Sequence, residues 1–416
     1  MRETPKGLRL HIGIFGRRNV GKSSLMNALT GQQAAIVSSQ PGTTTDPVEK
    51  AMELSPLGPV LFVDTAGLDD EGPVGELRAG RSLDVLARTD LALLVTGDGQ
   101  FGQFEQTLAD LLAEKNIPFV VVVNKTDLAP LSPAFEASLR EKGLAVQGVS
   151  ASDGSGLGGL KSLLIEKSPE QWFEEPRLLG DLVPPGGLAV LVVPIDLGAP
   201  KGRLILPQVQ AIRDILDSDA SCLVVKEREL ADALENLPRR PDIVVCDSQV
   251  VLKASADTPR EIPLTTFSIL MARFKGDLPA LAAGAAAIDT LAPGDRVLIA
   301  EACTHHPLAD DIGRVKIPRW INQYAGGGVE AVLASGKDYP EDLESFKVVI
   351  HCGGCVITRR HMLSRMHAAK AAGVPVTNYG VAISRLQGVL ERALEPFPAA
   401  LEAFRSAQPK EVRKPG

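Results

Sequence analysis

One segment constrains the fold more than any other, and it reads Gly16-Arg17-Arg18-Asn19-Val20-Gly21-Lys22-Ser23. It fits the pattern G-x-x-x-x-G-K-S, follows the apolar run Leu10 to Phe15, and precedes the helix-compatible Ser24 to Leu29. Between a strand and a helix, such a loop turns backbone N–H groups and the positive end of the helix toward phosphate oxygens. The sequence therefore predicts an α/β domain with a phosphate site formed by Gly16, Asn19, Val20, Gly21, Lys22, Ser23 and Ser24.

A second motif, Asp64-Thr65-Ala66-Gly67, follows the apolar run Val60 to Val63. A carboxylate at the end of that strand can hold the Mg²⁺ shell together with the hydroxyl of Ser23, while Lys22 contacts the β and γ phosphates. The backbone N–H of Gly67 would meet the γ-phosphate. These residues predict a Mg²⁺-dependent triphosphate site.

A third motif, Asn124-Lys125-Thr126-Asp127, follows Val120 to Val123 and selects the base. The Asp127 carboxylate can accept hydrogen bonds from N1 and the exocyclic amine of guanine, a pairing that adenine cannot supply. Ser150-Ala151 would complete the base pocket. The order of the motifs, three of them after strand-like runs, predicts a domain that binds and hydrolyses GTP.

These motifs resemble those of the translation-factor-related GTPases, in particular the TrmE- and Era-like branch with tRNA-modifying and ribosome-assembly members. Gly42-Thr43-Thr44-Thr45-Asp46 resembles switch I of that branch, where the residue at Thr44 closes on Mg²⁺ and the γ-phosphate. The resemblance implies that Asn19 holds an activating K⁺, although a loop-shaping role for Asn19 is the alternative. It also implies catalytic roles for Lys22, Thr44 and Gly67.

The residue after the second motif is Leu68, not the glutamine that orients water in many GTPases. An apolar side chain cannot position a nucleophile, so we expect slow intrinsic hydrolysis that depends on K⁺. Asp69, Asp70 and Glu71 are alternative water-orienting groups, and solvated loop charges are the simpler interpretation of each.

Apolar runs alternate with helical patterns along the whole chain of 416 residues, which predicts an α/β fold built of three units. We place a GTPase domain at 1–170, a small dimerisation domain at 180–262 and a third domain with a parallel sheet at 263–416. The small size of the second unit makes it a reasonable place for an oligomer contact.

Charge and hydropathy exclude some classes of function. The net charge of −7 and the pI near 5.5 argue against nucleic-acid binding as the main task. The apolar runs are of strand length, and the N-terminus lacks the apolar core of a signal peptide, so we expect a cytoplasmic protein without a membrane contact.

Three of the five cysteines lie in two short motifs, Cys303-Thr304-His305 and His351-Cys352-Gly353-Gly354-Cys355. Each motif comes just past a strand-like run, Arg296 to Ala300 and Val348 to Ile350, so both should meet at the carboxyl edge of a parallel sheet. Zinc held by three cysteines and one histidine, and a redox-active C-x-x-C, are alternatives. Three thiolates without a fourth cysteine suit an iron–sulfur cluster with one open iron position.

The two remaining cysteines, Cys222 and Cys246, lie within strand-like runs, and we interpret them as buried and inert.

The GTPase motifs, the small middle unit and the C-x-H … H-C-x-x-C pattern together resemble the [FeFe]-hydrogenase maturation GTPases, the HydF family. The resemblance covers essentially the whole chain. It implies a homodimer with a [4Fe–4S] cluster on Cys303, Cys352 and Cys355, and His305 or His351 as a possible fourth ligand. It also implies a scaffold that receives a two-iron precursor from two radical-SAM maturases and delivers it to apo-[FeFe]-hydrogenase. The rival hypothesis is an RNA- or ribosome-directed GTPase with structural zinc.

Overall fold

The computed structural model describes residues 5–31, 48–55, 57–65, 84–97, 100–169, 177–194, 204–302, 311–336, 340 and 342–409. The chain divides into two compact units, Met1–Glu175 and Pro176–Gly416. Both units combine parallel sheets with covering helices, so the predicted α/β class is confirmed. In the described part of the chain, no helix is both long and apolar enough to cross a membrane.

The described residues of the first unit form a six-stranded sheet of order β2-β3-β1-β4-β5-β6. Its strands are β1 Leu10–Phe15, β2 Val48–Leu54, β3 Gly58–Asp64, β4 Leu91–Gly97, β5 Phe119–Asn124 and β6 Val146–Gly148. Only the β2–β3 pair is antiparallel among these strands. The carboxyl ends of β1, β3, β4, β5 and β6 therefore share one edge, where ligand sites of such sheets form.

Helices cover both faces of this sheet: α1 Lys22–Thr30, α2 Gln103–Glu114, α3 Pro133–Glu141 and α4 Leu157–Lys167. Alternate strand residues enter different cores. In β5, Val120 and Val122 pack with residues of α1 and α4, whereas Val121 and Val123 pack with residues of α2. Burial on both faces explains why these strands are continuous apolar runs in the sequence.

The described residues of the second unit form two sheets, and the first of them has the order β10-β9-β7-β8, with all strands parallel. Its strands are β7 Leu188–Val192, β8 Ser221–Val225, β9 Ile243–Cys246 and β10 Leu264–Thr266. The segments between these strands contain the helices α5 Leu206–Asp217, α6 Leu230–Asn236 and α7 Val251–Asp257. The predicted dimerisation domain ends at residue 262, and β10 extends its sheet past that point.

The other sheet of the second unit has the order β12-β11-β13-β14 and is also parallel throughout. Its strands are β11 Arg296–Glu301, β12 Glu330–Ser335, β13 Val348–His351 and β14 Val376–Asn378. The helices of this region are α8 Phe267–Lys275, α9 Leu278–Ala285, α10 Ile317–Ala325, α11 Arg359–Ala371, α12 Tyr379–Leu386, α13 Leu390–Leu394 and α14 Pro398–Ala407.

The two sheets of the second unit share their cores. One apolar cluster joins Leu191 and Val245 of the first of these sheets to Leu298 and Val349 of the other, with α8 between them in the sequence. A second cluster likewise contains residues of both sheets. The unit is therefore held together by continuous apolar packing.

Local sequence explains two element boundaries in this unit. Helix α8 begins at Phe267, because Thr266 stays in β10 and its Oγ1 accepts the N–H of Ile269 at 3.1 Å as an N-cap. Strand β14 starts at Val376, since Pro375 has no N–H to pair.

Candidate functional site

The phosphate-binding loop joins β1 to α1, as its sequence predicts, and its own lysine holds it in shape. The Nζ atom of Lys22 donates to the carbonyl oxygens of Gly16 at 2.9 Å and Arg17 at 2.7 Å. Lys22 is buried. These bonds fix the ammonium group inside the loop, where it can meet phosphate oxygens. Asn19 is exposed and has a φ of 59°, so this asparagine has the loop-shaping backbone conformation.

The first residue of the base-selecting motif ties the phosphate-binding loop to the base pocket. Asn124 Nδ2 donates to the carbonyl oxygens of Val20 at 2.9 Å and Gly21 at 3.4 Å, and its Oδ1 accepts the N–H of Ala151 at 3.2 Å. A Cβ atom on Gly21, whose φ is +89°, would lie 2.4 Å from Asn124 Nδ2. Only glycine fits there, so three of the sequence motifs meet around one amide.

Two of the three residues predicted to hold Mg²⁺, Ser23 and Asp64, lie together at the carboxyl edge of the sheet, and Thr44 lies outside the described residues. Ser23 Oγ donates to Asp64 Oδ2, while Asp64 Oδ1 is buried and has no hydrogen-bond partner among the described residues. Burial raises the pKa of the Asp64 carboxyl, and the Ser23 hydroxyl and the Lys22 ammonium act in the opposite direction. A hydroxyl and an orphaned carboxylate oxygen are the oxygen ligands that Mg²⁺ takes, so the residues fit the ion.

The base-selecting carboxylate is oriented by two serines. Ser152 Oγ donates to Asp127 Oδ2 at 2.9 Å, and the hydroxyls of Ser150 and Ser152 lie 2.8 Å apart. Hydrogen bonds from Ser150 and Ser152 hold the pKa of Asp127 below its usual value. The carboxylate is therefore charged at neutral pH and accepts hydrogen bonds, as guanine recognition requires.

Two predicted catalytic residues, Thr44 and Gly67, lie outside the described residues, as does Leu68. Their neighbour Thr65 is buried, and its Oγ1 donates to the carbonyl oxygen of Ile14 at 2.7 Å. This bond fixes the start of the second motif against β1.

The cysteine motif after β13 lies at the carboxyl edge of the last sheet. In the register of β11 and β13, Ala300 is opposite His351, and the N–H of Cys352 donates to the carbonyl oxygen of Ala300 at 2.8 Å. The N–H of Ala302 donates to Cys352 Sγ at 3.1 Å. Cys303, which follows Ala302 in the sequence, and His305 both lie outside the described residues.

The turn between Cys352 and Cys355 depends on glycine at one position. Gly354 has a φ of +62°, and a Cβ atom there would lie 2.4 Å from Met362 Cε. At Gly353 a Cβ atom would meet Met271 Cβ at an ordinary 3.7 Å. The tight turn keeps two sulfur atoms on one short loop, the arrangement in which a C-x-x-C segment binds metal.

Charge around Cys355 comes from α8. Burial raises the pKa of the Cys355 thiol, and the ammonium group of Lys275 acts in the opposite direction. Lys275 itself is buried at the end of that helix. The pKa stays raised overall, and the cation offsets part of the cost of forming the thiolate, which is the form that binds iron.

His351 lies inside β13, because it pairs with Ala300 and Asn378 in the sheet. This corrects the sequence prediction, which placed His351 just past the strand. It is buried, its Nδ1 lies 2.8 Å from the carbonyl oxygen of Cys352, and its Nε2 lies 3.0 Å from Arg365 Nη1. Burial, with the charge of Arg365, lowers the pKa of His351 to about 4. A neutral ring that donates from Nδ1 and accepts at Nε2 satisfies both contacts.

The other cysteines follow the sequence prediction in part. Cys246 is fully buried in β9, whereas Cys222 in β8 is only half-buried. Burial raises the pKa of both thiols. Within the described ranges, no group of three or more His, Cys, Asp or Glu side chains could hold a metal ion.

Sequence reasoning missed two residues of these sites. Ser152 belongs to the same short loop as Ser150 and Ala151, and its spacing from that motif is the signal that could have pointed to it. Arg365 contacts His351 from α11, fourteen positions along the chain. No sequence pattern marks that contact.

Comparison with known families covers most of the chain. Residues 178–276 match the family model described as the hydrogen maturase F dimerization domain, and residues 279–396 match the hydrogen maturase F tetramerization domain. Residues 11–125 match the model described as 50S ribosome-binding GTPase.

Individual relatives match a smaller share of the chain. The tRNA modification GTPase MnmE of Syntrophotalea carbinolica is 41% identical over 161 residues, which are 38% of this chain and 34% of the relative. GTPase Der of Deinococcus deserti is 40% identical over 130 residues, 31% of this chain and 29% of the relative. The chain thus spans about a third of the length of these curated relatives. The crystal structure of Era from Aquifex aeolicus covers 52% of this chain and 92% of its own, at 18% identity and a TM-score of 0.35.

Proposed function

Because the chain belongs to the hydrogen maturase F family of GTPases, we propose that it is a scaffold that carries a metal precursor to apo-[FeFe]-hydrogenase. In this proposal it hydrolyses GTP in its first unit and holds a [4Fe–4S] cluster on Cys303, Cys352 and Cys355. Two radical-SAM maturases build or modify the two-iron precursor that the scaffold accepts and delivers. The protein acts in the cytoplasm.

The observation that carries the cluster assignment is the placement of Cys352 and Cys355 at the carboxyl edge of a parallel sheet. The N–H of Ala302, the residue before Cys303 in the sequence, reaches Cys352 Sγ at 3.1 Å. Donation of N–H groups to sulfur and the cation of Lys275 each offset part of the burial that raises the pKa of the Cys355 thiol. When bound, the cluster would supply an iron position at which a second metal fragment can dock.

The contacts of His351 support a role in orienting the loop and not in binding iron. Both of its ring nitrogens have partners within the protein, the Cys352 carbonyl oxygen and the Arg365 guanidinium. Iron ligation through Nε2 would require Arg365 to leave a buried contact. We therefore assign His351 as a positioning residue, and His305 stays the candidate for a fourth ligand.

The His351 assignment predicts a specific spectroscopic result. His351→Asn should leave the iron content unchanged and alter the electron paramagnetic resonance spectrum of the reduced cluster only slightly. His305→Asn should change the g values, because it removes a ligand. Equal and large changes in both variants would contradict the assignment.

We assign the GTPase unit as a switch that regulates partner binding, with Thr44 and Gly67 closing on the γ-phosphate. Asn19 supports a K⁺ site, and hydrolysis is slow without that cation. Turnover measured in KCl and in NaCl at equal ionic strength tests the cation requirement. Equal rates in the two salts would contradict it.

Self-association through the second unit is part of the proposal. Among the described strands, β8 lies at the edge of its sheet, and Val224 on this strand is 42% exposed. Helix α5 contacts β8 and exposes Val209 and Leu216. An edge strand beside exposed apolar side chains is suited to pairing with a second copy.

Anaerobic purification followed by metal analysis tests the function most simply. Iron and sulfide in about equal amounts, with absorption near 400 nm, support the maturase assignment. Stoichiometric zinc without iron would instead support the rival RNA- or ribosome-directed GTPase. The similarity to MnmE over 161 residues and to Der over 130 residues favours this rival.

A further inference from the structure

The phosphate-binding loop has a side-chain contact that none of the GTPase motifs explains. Arg17 Nε donates to Glu105 Oε1 at 2.8 Å, and Arg17 Nη2 donates to Glu105 Oε2 at 3.2 Å. This two-point pairing of a guanidinium with a carboxylate fixes orientation as well as distance. Glu105 belongs to α2 and lies 88 positions after Arg17 in the sequence. The contact therefore joins the loop to a separate helix.

The carboxylate in this pair is firmly held. The side chain of Glu105 is 2% exposed, whereas that of Arg17 is 43% exposed. Glu105 Oε2 also accepts the N–H of Gly102 at 2.9 Å, which caps the start of α2. The Arg17 guanidinium further lies 5.1 Å from the centre of the Phe104 ring, close enough for a cation–π contact. The first turn of α2 therefore binds Arg17 through two residues.

The backbone of Arg17 is also held in place. The carbonyl oxygen of Arg17 accepts from Lys22, and the far end of the loop is held where Asn124 binds the carbonyl oxygen of Val20. The loop is thus held at one end by a residue of the base-selecting motif and at the other end by α2. Preordering of a loop lowers the entropy that ligand binding must otherwise remove.

We propose that Arg17 and Glu105 are positioning residues for nucleotide binding, and that their ion pair makes the first turn of α2 a determinant of the affinity of the phosphate-binding loop for GDP and GTP. Neither side chain is required to touch the nucleotide. Displacement of that first turn by a bound protein would loosen the loop and speed nucleotide release.

Ordering of the loop and screening of the Arg17 charge would change the affinity for nucleotide in opposite directions, and one variant distinguishes them. Glu105→Gln breaks the ion pair but keeps an oxygen for the Gly102 N–H. If the pair orders the loop, the variant binds nucleotide more weakly. If Glu105 only screens the charge of Arg17, the variant leaves an unscreened cation near the phosphates and binds nucleotide more tightly.

The experiment titrates the full-length protein with a fluorescent GDP analogue. We expect Glu105→Gln and Arg17→Met each to raise the Kd about 5- to 10-fold, up to about 1.4 kcal/mol, and the double variant to be no weaker than the worse single variant. Asp110→Asn is the matched control, since Asp110 is an exposed residue of the same helix that accepts a hydrogen bond from Gln106 at 2.8 Å; its Kd should stay within twofold.

A kinetic comparison separates positioning from catalysis and from general loss of structure. At saturating GTP, kcat of both variants should stay within twofold of the wild type while KM rises with the Kd. Arg17→Lys, which keeps the charge but not the two-point contact, should restore part of the affinity. Tighter binding by Glu105→Gln, an unchanged Kd in both variants, or a fall in kcat equal to the rise in KM would each overturn the proposal. Because Arg17 is half-exposed, its variants keep the test decisive if Glu105→Gln fails to fold.

Discussion

Replacement of Gly354 by alanine tests how far the cysteine loop depends on its backbone. A φ of +62° costs an alanine about 1 kcal/mol. The new Cβ atom would lie 2.4 Å from Met362 Cε, the far end of a flexible side chain, and moving it adds about 1 kcal/mol. The sum is about 2 kcal/mol. In a unit of this size it should lower the thermal midpoint by about 4–8 °C.

Gly353→Ala is the matched control, because it adds the same methyl group one residue earlier in the same loop. Its Cβ atom would meet Met271 Cβ at 3.7 Å, an ordinary contact, and its φ lies outside the left-handed region. We expect its thermal midpoint to stay within about 2 °C of the wild type, since small surface-loop changes are usually within about 0.5 kcal/mol.

Thermal unfolding of the apo protein and iron content after anaerobic reconstitution are the two assays. Gly354→Ala should lower both values, because the strain moves Cys355 relative to Cys352. If the two alanine variants lowered the midpoint and the iron content equally, the assigned role of the left-handed turn at Gly354 would be wrong.

Three further predictions concern the other sites. Asp64→Asn should reduce GTP turnover at least about 100-fold in Mg²⁺, because it removes the carboxylate expected to hold the ion; turnover within a few-fold of the wild type would contradict that role. Asp127→Asn should weaken GTP binding about 100-fold and improve xanthosine triphosphate binding, since an amide can donate to the 2-oxo group of xanthine. Comparison of the two Kd values checks this, and retained guanine preference would refute it. Val224→Glu should shift the protein toward monomer in light-scattering chromatography, with Leu252→Glu, a more exposed position on α7, as the control; an unchanged mass would exclude β8 from the interface.

The nucleotide site could be predicted from the sequence because its motifs are local and each follows a strand. Lys22, Asn124 and Asp127 all lie where their motifs place them, since a parallel sheet brings the ends of its strands to one edge. The Arg17–Glu105 pair could not be predicted in this way. An arginine in a glycine-rich loop and a glutamate in the first turn of a helix are both common, and only the fold brings them together.

The cysteine region shows the same difference. The position of Cys352 and Cys355 at a sheet edge follows from the apolar run before them. The role of His351 does not, because β13 extends one residue past the apolar run to include it, and its partner, Arg365, is contributed by a helix with no distinguishing pattern. A histidine beside a cysteine motif suggests a ligand, whereas its two buried contacts suggest a residue that orients the loop.

We propose above all that Cys303, Cys352 and Cys355 bind iron that serves a hydrogenase, and that GTP is hydrolysed at a separate site in the first unit. Serine replacements of Cys303, Cys352 and Cys355, one at a time, test it when iron content, activation of apo-[FeFe]-hydrogenase and GTP turnover are measured on the same samples. We predict about four irons per wild-type chain, loss of hydrogenase activation in every variant, and GTP turnover within twofold of the wild type. Stoichiometric zinc in place of iron, or an equal collapse of GTP turnover in the variants, would contradict the claim.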